Sequence, residues 1–225
     1  MTEGQKPTSK IVVLISGSGS NLQSIINACE KNNIDAQISA VISNKYNVKG
    51  LDRAAAANIP SIVIDHHAFE TRQAFDQHLA EVIIGFTPDL IILAGFMRIL
   101  TEEFVNQFVG KLINIHPSLL PAYPGLNTHQ RAIEAGDRTA GATVHFVTPE
   151  LDGGPSILRA QVAVLENDTS DALAARVLTM EHQIYPTVAQ WFCEGRISMT
   201  DGIVFFDGVQ IDKSGLLFTS QSEQK

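Results

Sequence analysis

The chain has 225 residues, 44% of them hydrophobic, and 16 lysine and arginine residues against 24 acidic residues give a formal net charge of −8. This balance argues against a nucleic-acid partner, which requires a basic surface, and the longest apolar run, residues 90–97, is too short to span a bilayer. Two distant cysteines without metal-ligand spacing indicate reduced thiols in a cytoplasmic protein that has no metal site.

The first half of the chain alternates apolar runs with helical patterns. Strands are predicted at residues 11–15, 37–42, 61–64 and 90–93, and helices at residues 22–29, 49–58 and 69–85. This alternation is typical of a mostly parallel sheet with right-handed crossovers and helices on both faces. The sequence therefore predicts an α/β, Rossmann-like fold.

The second half continues the alternation and ends in a long helix. Helices are predicted at residues 102–109, 128–135 and 170–192, strands at residues 112–116, 143–148 and 156–164, and a hairpin within residues 203–211. No repeat or linker interrupts the pattern. We therefore expect one domain at residues 10–210, with tails at residues 1–9 and 212–225.

Asn114 and His116 are the strongest chemical signal in the chain. Side chains alternate along a strand, so both residues point to the same face of the predicted strand 112–116, which Pro117 ends. The carboxyl end of a strand in an open α/β sheet is where ligands bind. An amide beside an imidazole suits acyl transfer through an oxyanion, although a strand end that faces water is the simpler alternative.

The first strand is followed by a turn of small residues at positions 16–21. Glycines let the backbone approach a ligand, and the amides at a helix N-terminus attract an anion. Leu22 stands where a dinucleotide fingerprint requires a third glycine, which favours a single phosphate over a pyrophosphate. That Ser20 or Asn21 merely caps the helix is an equal alternative.

Three further features become informative only beside the histidine strand. The loop at residues 93–100 is apolar apart from Arg98 and could wall a flat ligand or simply fill the core. Asp152 precedes two glycines that allow a sharp bend, and would stabilise protonated His116 if the two met. Glu181 falls within the apolar stripe of the last helix and needs a partner, either ligand hydroxyls or an ion pair.

Taken together, the motifs resemble the phosphoribosylglycinamide (glycinamide ribonucleotide) formyltransferases, folate-dependent enzymes of purine synthesis. The resemblance runs from residue 10 to about residue 207, and its strongest motifs are residues 15–21, 93–100, 114–121 and 151–155. It implies formyl transfer from 10-formyltetrahydrofolate to the amine of glycinamide ribonucleotide, without a metal. It also implies small-molecule substrates, no nucleic-acid or membrane partner, and a monomer or homodimer.

The resemblance also assigns roles to individual residues and segments. A phosphate-binding half is implied at about residues 10–110, and a folate and catalytic half at about residues 111–210. Positions that match catalytic residues of the family are Asn114, His116 and Asp152. Positions that match its ribonucleotide-binding residues are Gly19, Ser20, Asn21 and Glu181. Positions that match its folate-binding residues are Arg72, Met97, Arg98, Ile99, Leu100 and Asn114. Pro121 is implied to follow a cis peptide bond.

Two other folate-dependent classes and one non-enzymatic class were weighed as alternatives. Methionyl-tRNA formyltransferases would need an added RNA-binding domain and a basic surface. A formyltetrahydrofolate deformylase would carry a regulatory domain ahead of the first strand, where this sequence has nine residues. A nucleotide-binding module would leave the histidine strand without a role. A deformylase-like hydrolase is therefore kept as the main alternative.

Overall fold

The computed structural model describes residues 8–219, and its centre is a single eight-stranded sheet. The strands of this sheet are β1 (Ser9–Ile15), β2 (Ala36–Ser43), β3 (Ser61–Val63), β4 (Leu90–Leu93), β5 (Leu112–His116), β6 (Thr139–Phe146), β7 (Ser156–Ala163) and β11 (Leu216–Leu217). Their spatial order is β11-β7-β6-β5-β4-β1-β2-β3. Only the β5–β6 and β6–β7 pairs are antiparallel, which confirms the predicted, mostly parallel sheet.

Six α-helices and a small second sheet complete the described part of the chain. The helices are α1 (Ser20–Glu30), α2 (Lys49–Ala56), α3 (Arg72–Gly85), α4 (Glu102–Gln107), α5 (Thr128–Glu134) and α6 (Ser170–Cys193). The small antiparallel sheet comprises β8 (Ile197–Thr200), β9 (Ile203–Phe206) and β10 (Val209–Gln210). No helix within residues 8–219 has the length and apolar character needed to cross a membrane.

The apolar run of β1 is buried because both faces of the sheet are covered by helices. Ile11, Val13 and Ile15 belong to the core on one face, together with buried residues of α1 and α6. Val12 and Leu14 belong to the core on the opposite face, together with residues of α3 and α4. A strand buried on both sides has no polar alternation, which explains why the sequence shows a continuous apolar run here.

The order of the strands reverses at β1, and this reversal creates the place for a site. From β1 the chain builds outward through β2 and β3, then returns to the other side of β1 with β4. The loops that leave the carboxyl ends of β1 and β4 therefore run in opposite directions. A crevice opens between them, which is the usual ligand site of such sheets.

The structure corrects the predicted chain ends and some strand limits. The prediction of a tail from residue 212 is wrong, because Leu216 and Leu217 form a strand that pairs with Leu158 and Arg159 of β7. Strand β8 was not predicted, because the predicted hairpin began only at its partner β9. The peptide bond before Pro121 is cis, as the resemblance implied. Residues 1–7 and 220–225 of the predicted tails lie outside the described residues.

Candidate active site

The end of β5 brings together the amide and the histidine that the sequence singled out. Asn114 is half-buried and His116 is 5% exposed. In the antiparallel register of β5 and β6, Asn114 lies opposite His145. The Asn114 Nδ2 and His145 Nε2 atoms are 3.3 Å apart. The register of β6 therefore adds a second imidazole to the predicted pair.

His145 orients the amide of Asn114. Burial lowers the pKa of His145, so its neutral form is favoured. His145 Nδ1 lies 2.9 Å from the carbonyl oxygen of Phe146, which can only accept a hydrogen bond. Nδ1 therefore carries the proton, and Nε2 accepts from Asn114 Nδ2. The second N–H of that amide remains as a donor for another oxygen.

Asp152 meets the histidines at the end of a sharply bent loop. Its backbone has a φ of +51°, in the left-handed region, and a Cβ on Gly154 would collide with the carbonyl oxygen of Phe146. Asp152 Oδ2 lies 3.4 Å from His116 Nδ1 and accepts a hydrogen bond from Gly125 N over 2.9 Å. The loop therefore brings the predicted carboxylate to the predicted histidine.

Both ring nitrogens of His116 face oxygen acceptors. Besides the Asp152 contact, His116 Nε2 donates to the carbonyl oxygen of Tyr123 over 2.8 Å. A ring with a proton on each nitrogen would satisfy both acceptors. In this conformation Nε2 is committed to the backbone, and the sequence held no signal for this contact.

The turn between β1 and α1 presents backbone N–H groups to a small cavity. The N-cap of α1 is Gly19, with a φ of +67° and no side-chain cap, so capping by Ser20 or Asn21 is not found. A Cβ on Gly19 would lie 2.7 Å from the Cα of Gly50, so only glycine fits this packing. The cavity of about 150 Å³ is lined by Ser16, Gly17, Ser18, Gly19, Ser20, Asn21, Ala94, Gly95 and Met97.

Asn21 and Glu181 form a buried pair beside this turn. Both residues are 8% exposed, and Asn21 Nδ2 donates to Glu181 Oε2 over 2.7 Å. Burial raises the pKa of Glu181, and the bond from Asn21 partly opposes that rise. The partner of Glu181 is thus an amide rather than the ion pair considered from the sequence. Asn21 Oδ1 is buried without a hydrogen-bond partner among the described residues.

A second cavity, of about 110 Å³, lies between the loops after β4 and β6. Its lining residues are Leu93, Phe96, Arg98, Ile99, Leu100, Val105, Asn114, His145, Val147, Thr148, Pro149, Glu150, Leu151 and Asp152. Four predicted folate residues (Arg98, Ile99, Leu100 and Asn114) and two predicted catalytic residues (Asn114 and Asp152) therefore line one cavity. Its walls come from both halves of the chain.

Two predicted folate residues, Met97 and Arg72, do not line this cavity. Met97 is 68% exposed and lines the cavity at the phosphate-side turn instead. Arg72 is exposed at the first position of α3. Sequence spacing could not distinguish these positions, because consecutive loop residues face different cavities.

Asp76 anchors the loop that contains Arg98, a role that no sequence motif predicted. Asp76 is 1% exposed, and its Oδ2 accepts from the backbone N–H of Thr101 over 2.6 Å. Burial raises the pKa of Asp76, while this hydrogen bond and the charge of Arg98 lower it. The Arg98 guanidinium lies 4.7 Å from the ring centroid of Phe75. The hydrogen bond between Thr101 and Asp76 therefore attaches the loop after β4 to α3.

Tyr185, one helical turn after Glu181, ties α6 to the sheet. It is fully buried, and its hydroxyl lies 2.9 Å from the carbonyl oxygen of Leu93 and 3.2 Å from that of Ile113. Burial and the nearby Glu181 raise the pKa of Tyr185 well above its ordinary value. The neutral hydroxyl thus bridges the last residue of β4 and the second residue of β5.

Among residues 8–219, the His and carboxylate atoms close enough to share a metal ion belong to Asp65, His66 and His67, within 4.8 Å of one another. His66 Nδ1 already contacts the carbonyl oxygen of Asn44 at 3.0 Å. None of the three is a predicted site residue. His66 is half-buried rather than solvated, because this contact holds it against the loop after β2.

Comparison with known proteins places these features in a family. A family model described as formyl transferase matches residues 9–189. The phosphoribosylglycinamide formyltransferase of Escherichia coli (strain K12) is 51% identical over 205 residues, covering 91% of this chain and 97% of that protein. The trifunctional purine biosynthetic protein adenosine-3 of Homo sapiens is 45% identical over 195 residues, which are 87% of this chain but 19% of that protein.

Solved structures agree with the sequence relatives. The phosphoribosylglycinamide formyltransferase of Coxiella burnetii, in complex with CHES, superposes with a TM-score of 0.91 at 48% identity, covering 94% of this chain and 99% of that chain. The glycinamide ribonucleotide transformylase 1 of Symbiobacterium toebii gives 0.87 at 44% identity, covering 90% and 95%. On its matched residues, its fold and its relatives, the chain belongs to the formyl transferase family.

Proposed function

We propose that the chain transfers the formyl group of 10-formyltetrahydrofolate to the amine of glycinamide ribonucleotide, a step of purine synthesis. The observation that carries this proposal is the position of Asn114, His116 and Asp152. They meet where β5 ends, and Asn114 and Asp152 line the cavity walled by the loop after β4. The family and its named relatives support the same reaction.

The turn at residues 16–21 is suited to the phosphate of the ribonucleotide. The first-turn N–H groups of α1 have no side-chain cap, and a helix N-terminus attracts an anion. Asn21 and Glu181 lie beside the turn and offer oxygen acceptors to the ribose hydroxyls. We assign Gly19, Ser20, Asn21 and Glu181 to the binding of this substrate.

The cavity beside Asn114 is suited to the folate. Its walls are mostly apolar, as a flat ring requires, and Arg98, Ile99 and Leu100 are among the residues that line it. We assign these residues to the ring, with Met97 at the border between the two cavities. The exposed Arg72 is assigned to the carboxylates of the folate tail, outside the cavity.

10-Formyltetrahydrofolate supplies the formyl group. When the amine of glycinamide ribonucleotide attacks the formyl carbon, the formyl oxygen becomes an oxyanion. The free N–H of Asn114 donates to this oxygen, while His145 holds the amide in place. His116 donates a second hydrogen bond once its ring exchanges the Tyr123 carbonyl for the substrate oxygen. Each such donor contributes about 10²–10³ in rate.

Asp152 performs two tasks in this scheme. Its carboxylate faces His116 Nδ1 and so stabilises the ring in its doubly protonated form. Asp152, through water, also helps to move a proton from the attacking amine to N10 of the departing folate. Bringing both substrates into one crevice adds a large proximity effect. No step in this scheme calls for a metal ion.

The broader assignments follow from the proposed reaction. The substrates are small molecules, and 10-formyltetrahydrofolate is the formyl donor rather than a bound prosthetic group. Neither a nucleic acid nor a membrane is expected as a partner. We assign the enzyme to the cytoplasm, as a monomer or a homodimer.

Release of tetrahydrofolate from 10-formyltetrahydrofolate, measured with and without glycinamide ribonucleotide, tests the reaction. Turnover that depends on the ribonucleotide supports the formyltransferase. Equal turnover without it would identify a hydrolase of the deformylase type. Absence of turnover in both samples would leave a binding protein.

A further inference from the structure

The loops that follow β1, β2 and β4 meet at one buried hydroxyl, that of Ser16. Ser16 Oγ donates to Asn44 Oδ1 over 2.6 Å and accepts from the backbone N–H of Met97 over 2.8 Å. Ser16 is 5% exposed and Asn44 is 2% exposed, so water competes little for these hydrogen bonds. One side chain thus joins three loops at the reversal point of the sheet.

The direction of these hydrogen bonds follows from the number of protons. A serine hydroxyl has one proton, and donating it to Asn44 leaves lone pairs for the N–H of Met97. Asn44 therefore orients the hydroxyl for its contact with Met97. The backbone N–H of Ser16 also donates to the carbonyl oxygen of Gly95 over 3.1 Å. The loop after β4 is thus attached to Ser16 at two points, two residues apart.

The attachment lies where the loop passes from one cavity to the other. Met97 lines the cavity at the phosphate-side turn, whereas Arg98, Ile99 and Leu100 line the cavity assigned to the folate. A displacement at Met97 would therefore move one wall of the folate cavity relative to the turn. The anchor from Asp76 holds the far end of the same segment, at Thr101.

We infer that Ser16 and Asn44 are positioning residues, which hold the wall of the folate cavity in register with the phosphate-side turn and so set the affinity for the folate. The inference rests on the proposed function. Removing the Ser16 hydroxyl leaves the Met97 N–H and Asn44 Oδ1 without their partner, and buried polar groups without partners are costly. We expect the loop after β4 to move rather than the sheet, because the strands of the sheet are held by their own inter-strand hydrogen bonds.

The test compares Ser16→Ala and Asn44→Ala with the control Ser43→Ala. Ser43 is fully buried, and its hydroxyl donates to Lys45 O over 2.7 Å and accepts from Lys45 N over 3.1 Å. The control thus also removes a buried hydroxyl with two hydrogen bonds, but no contact to the loop after β4. The Michaelis constants for 10-formyltetrahydrofolate and for glycinamide ribonucleotide, and kcat, are measured for each protein, with thermal melts in parallel.

Loss of these contacts is expected to raise the KM for the folate by about tenfold. The KM for the ribonucleotide should change less than about twofold, because the backbone hydrogen bonds of the turn, from Gly50 N to Gly17 O and from Gln23 N to Gly19 O, do not use the Ser16 hydroxyl. Ser43→Ala should keep both constants. Should Ser16→Ala fail to fold, Asn44→Ala carries the same expectation.

Two results would overturn the positioning role. One is an equal rise of both KM values, and the other is a lowered melting temperature with both KM values unchanged. Either result would leave the proposed function standing, provided that the unaltered enzyme turns over only with the ribonucleotide. Loss of that dependence would instead refute the proposed function.

Discussion

Replacing Glu181 with glutamine tests the proposed ribonucleotide pocket at a buried acceptor. Glu181 Oε2 is taken up by the 2.7 Å hydrogen bond from Asn21 Nδ2, which leaves Oε1 for one ribose hydroxyl. Glutamine has nearly the same size, and its carbonyl oxygen can still accept from Asn21. The substitution therefore changes the charge of the acceptor while it preserves the packing around it.

The expected magnitude follows from that single remaining hydrogen bond. A hydrogen bond to a charged group contributes about 1.5–3 kcal/mol, and one between neutral groups about 0.5–1.5 kcal/mol. The difference of about 1.2 kcal/mol between the centres of these ranges corresponds to a rise of about eightfold in the KM for glycinamide ribonucleotide. The ribose lies away from the reacting carbon, so kcat should change little.

Steady-state rates at saturating 10-formyltetrahydrofolate, with varied ribonucleotide, provide the assay. Glu194→Gln is a matched control, because this exposed residue follows the same helix and contacts Gln190 instead of the pocket. An unchanged KM for the ribonucleotide in Glu181→Gln would refute the assignment. So would an equal rise in the KM for the folate, since that would indicate a general distortion.

The same variant makes a prediction about pH and stability. Burial raises the pKa of Glu181 above its ordinary value of 4.5, so the native state holds the proton more tightly than the unfolded state does. The stabilisation from this proton is fully present below pH 4.5 and is lost as the pH rises through the raised pKa. The free energy of unfolding of the wild type, relative to Glu181→Gln, should therefore fall as the pH increases. A constant difference across urea melts in this window would contradict the reasoning.

Three further predictions concern other parts of the molecule. Asp152→Asn should lower kcat by about 10²–10³ without lowering the melting temperature, and a normal rate in the purified variant would remove its catalytic role. Gly154→Ala places a methyl group against the carbonyl oxygen of Phe146 and should destabilise the protein by about 1–3 kcal/mol in denaturant titrations; an unchanged midpoint would show that the loop relaxes. Burial raises the pKa of Cys29 to about 11. Alkylation at this residue, followed by mass spectrometry, should therefore be slow at neutral pH; rapid labelling of the folded protein would disprove the burial argument.

Local patterns predicted the parallel sheet, and they placed Asn114 and His116 on one face of a strand that ends at Pro117. Two glycines after Asp152 predicted a bend, but only the resemblance to the formyltransferases implied that Asp152 joins Asn114 and His116. The register of β6 against β5 is not visible in local patterns, so the hydrogen bond between Asn114 and His145 was not predicted.

The remaining differences come from the paths of loops. Met97 and Arg98 are adjacent in sequence, yet they line different cavities, because the loop turns between them. The commitment of His116 to the Tyr123 carbonyl likewise depends on how the loop after β5 folds back. The short edge strand Leu216–Leu217 was not predicted, because two residues are too few to show the alternation of a strand.

The bridge made by Tyr185 has a mechanical consequence. Its hydroxyl joins the last residue of β4 to the second residue of β5, and Glu181 stands one turn earlier on the same helix. A tilt of α6 would break contacts to both strands. Adjustment on substrate binding is therefore expected in the loops rather than in the unit formed by α6, β4 and β5.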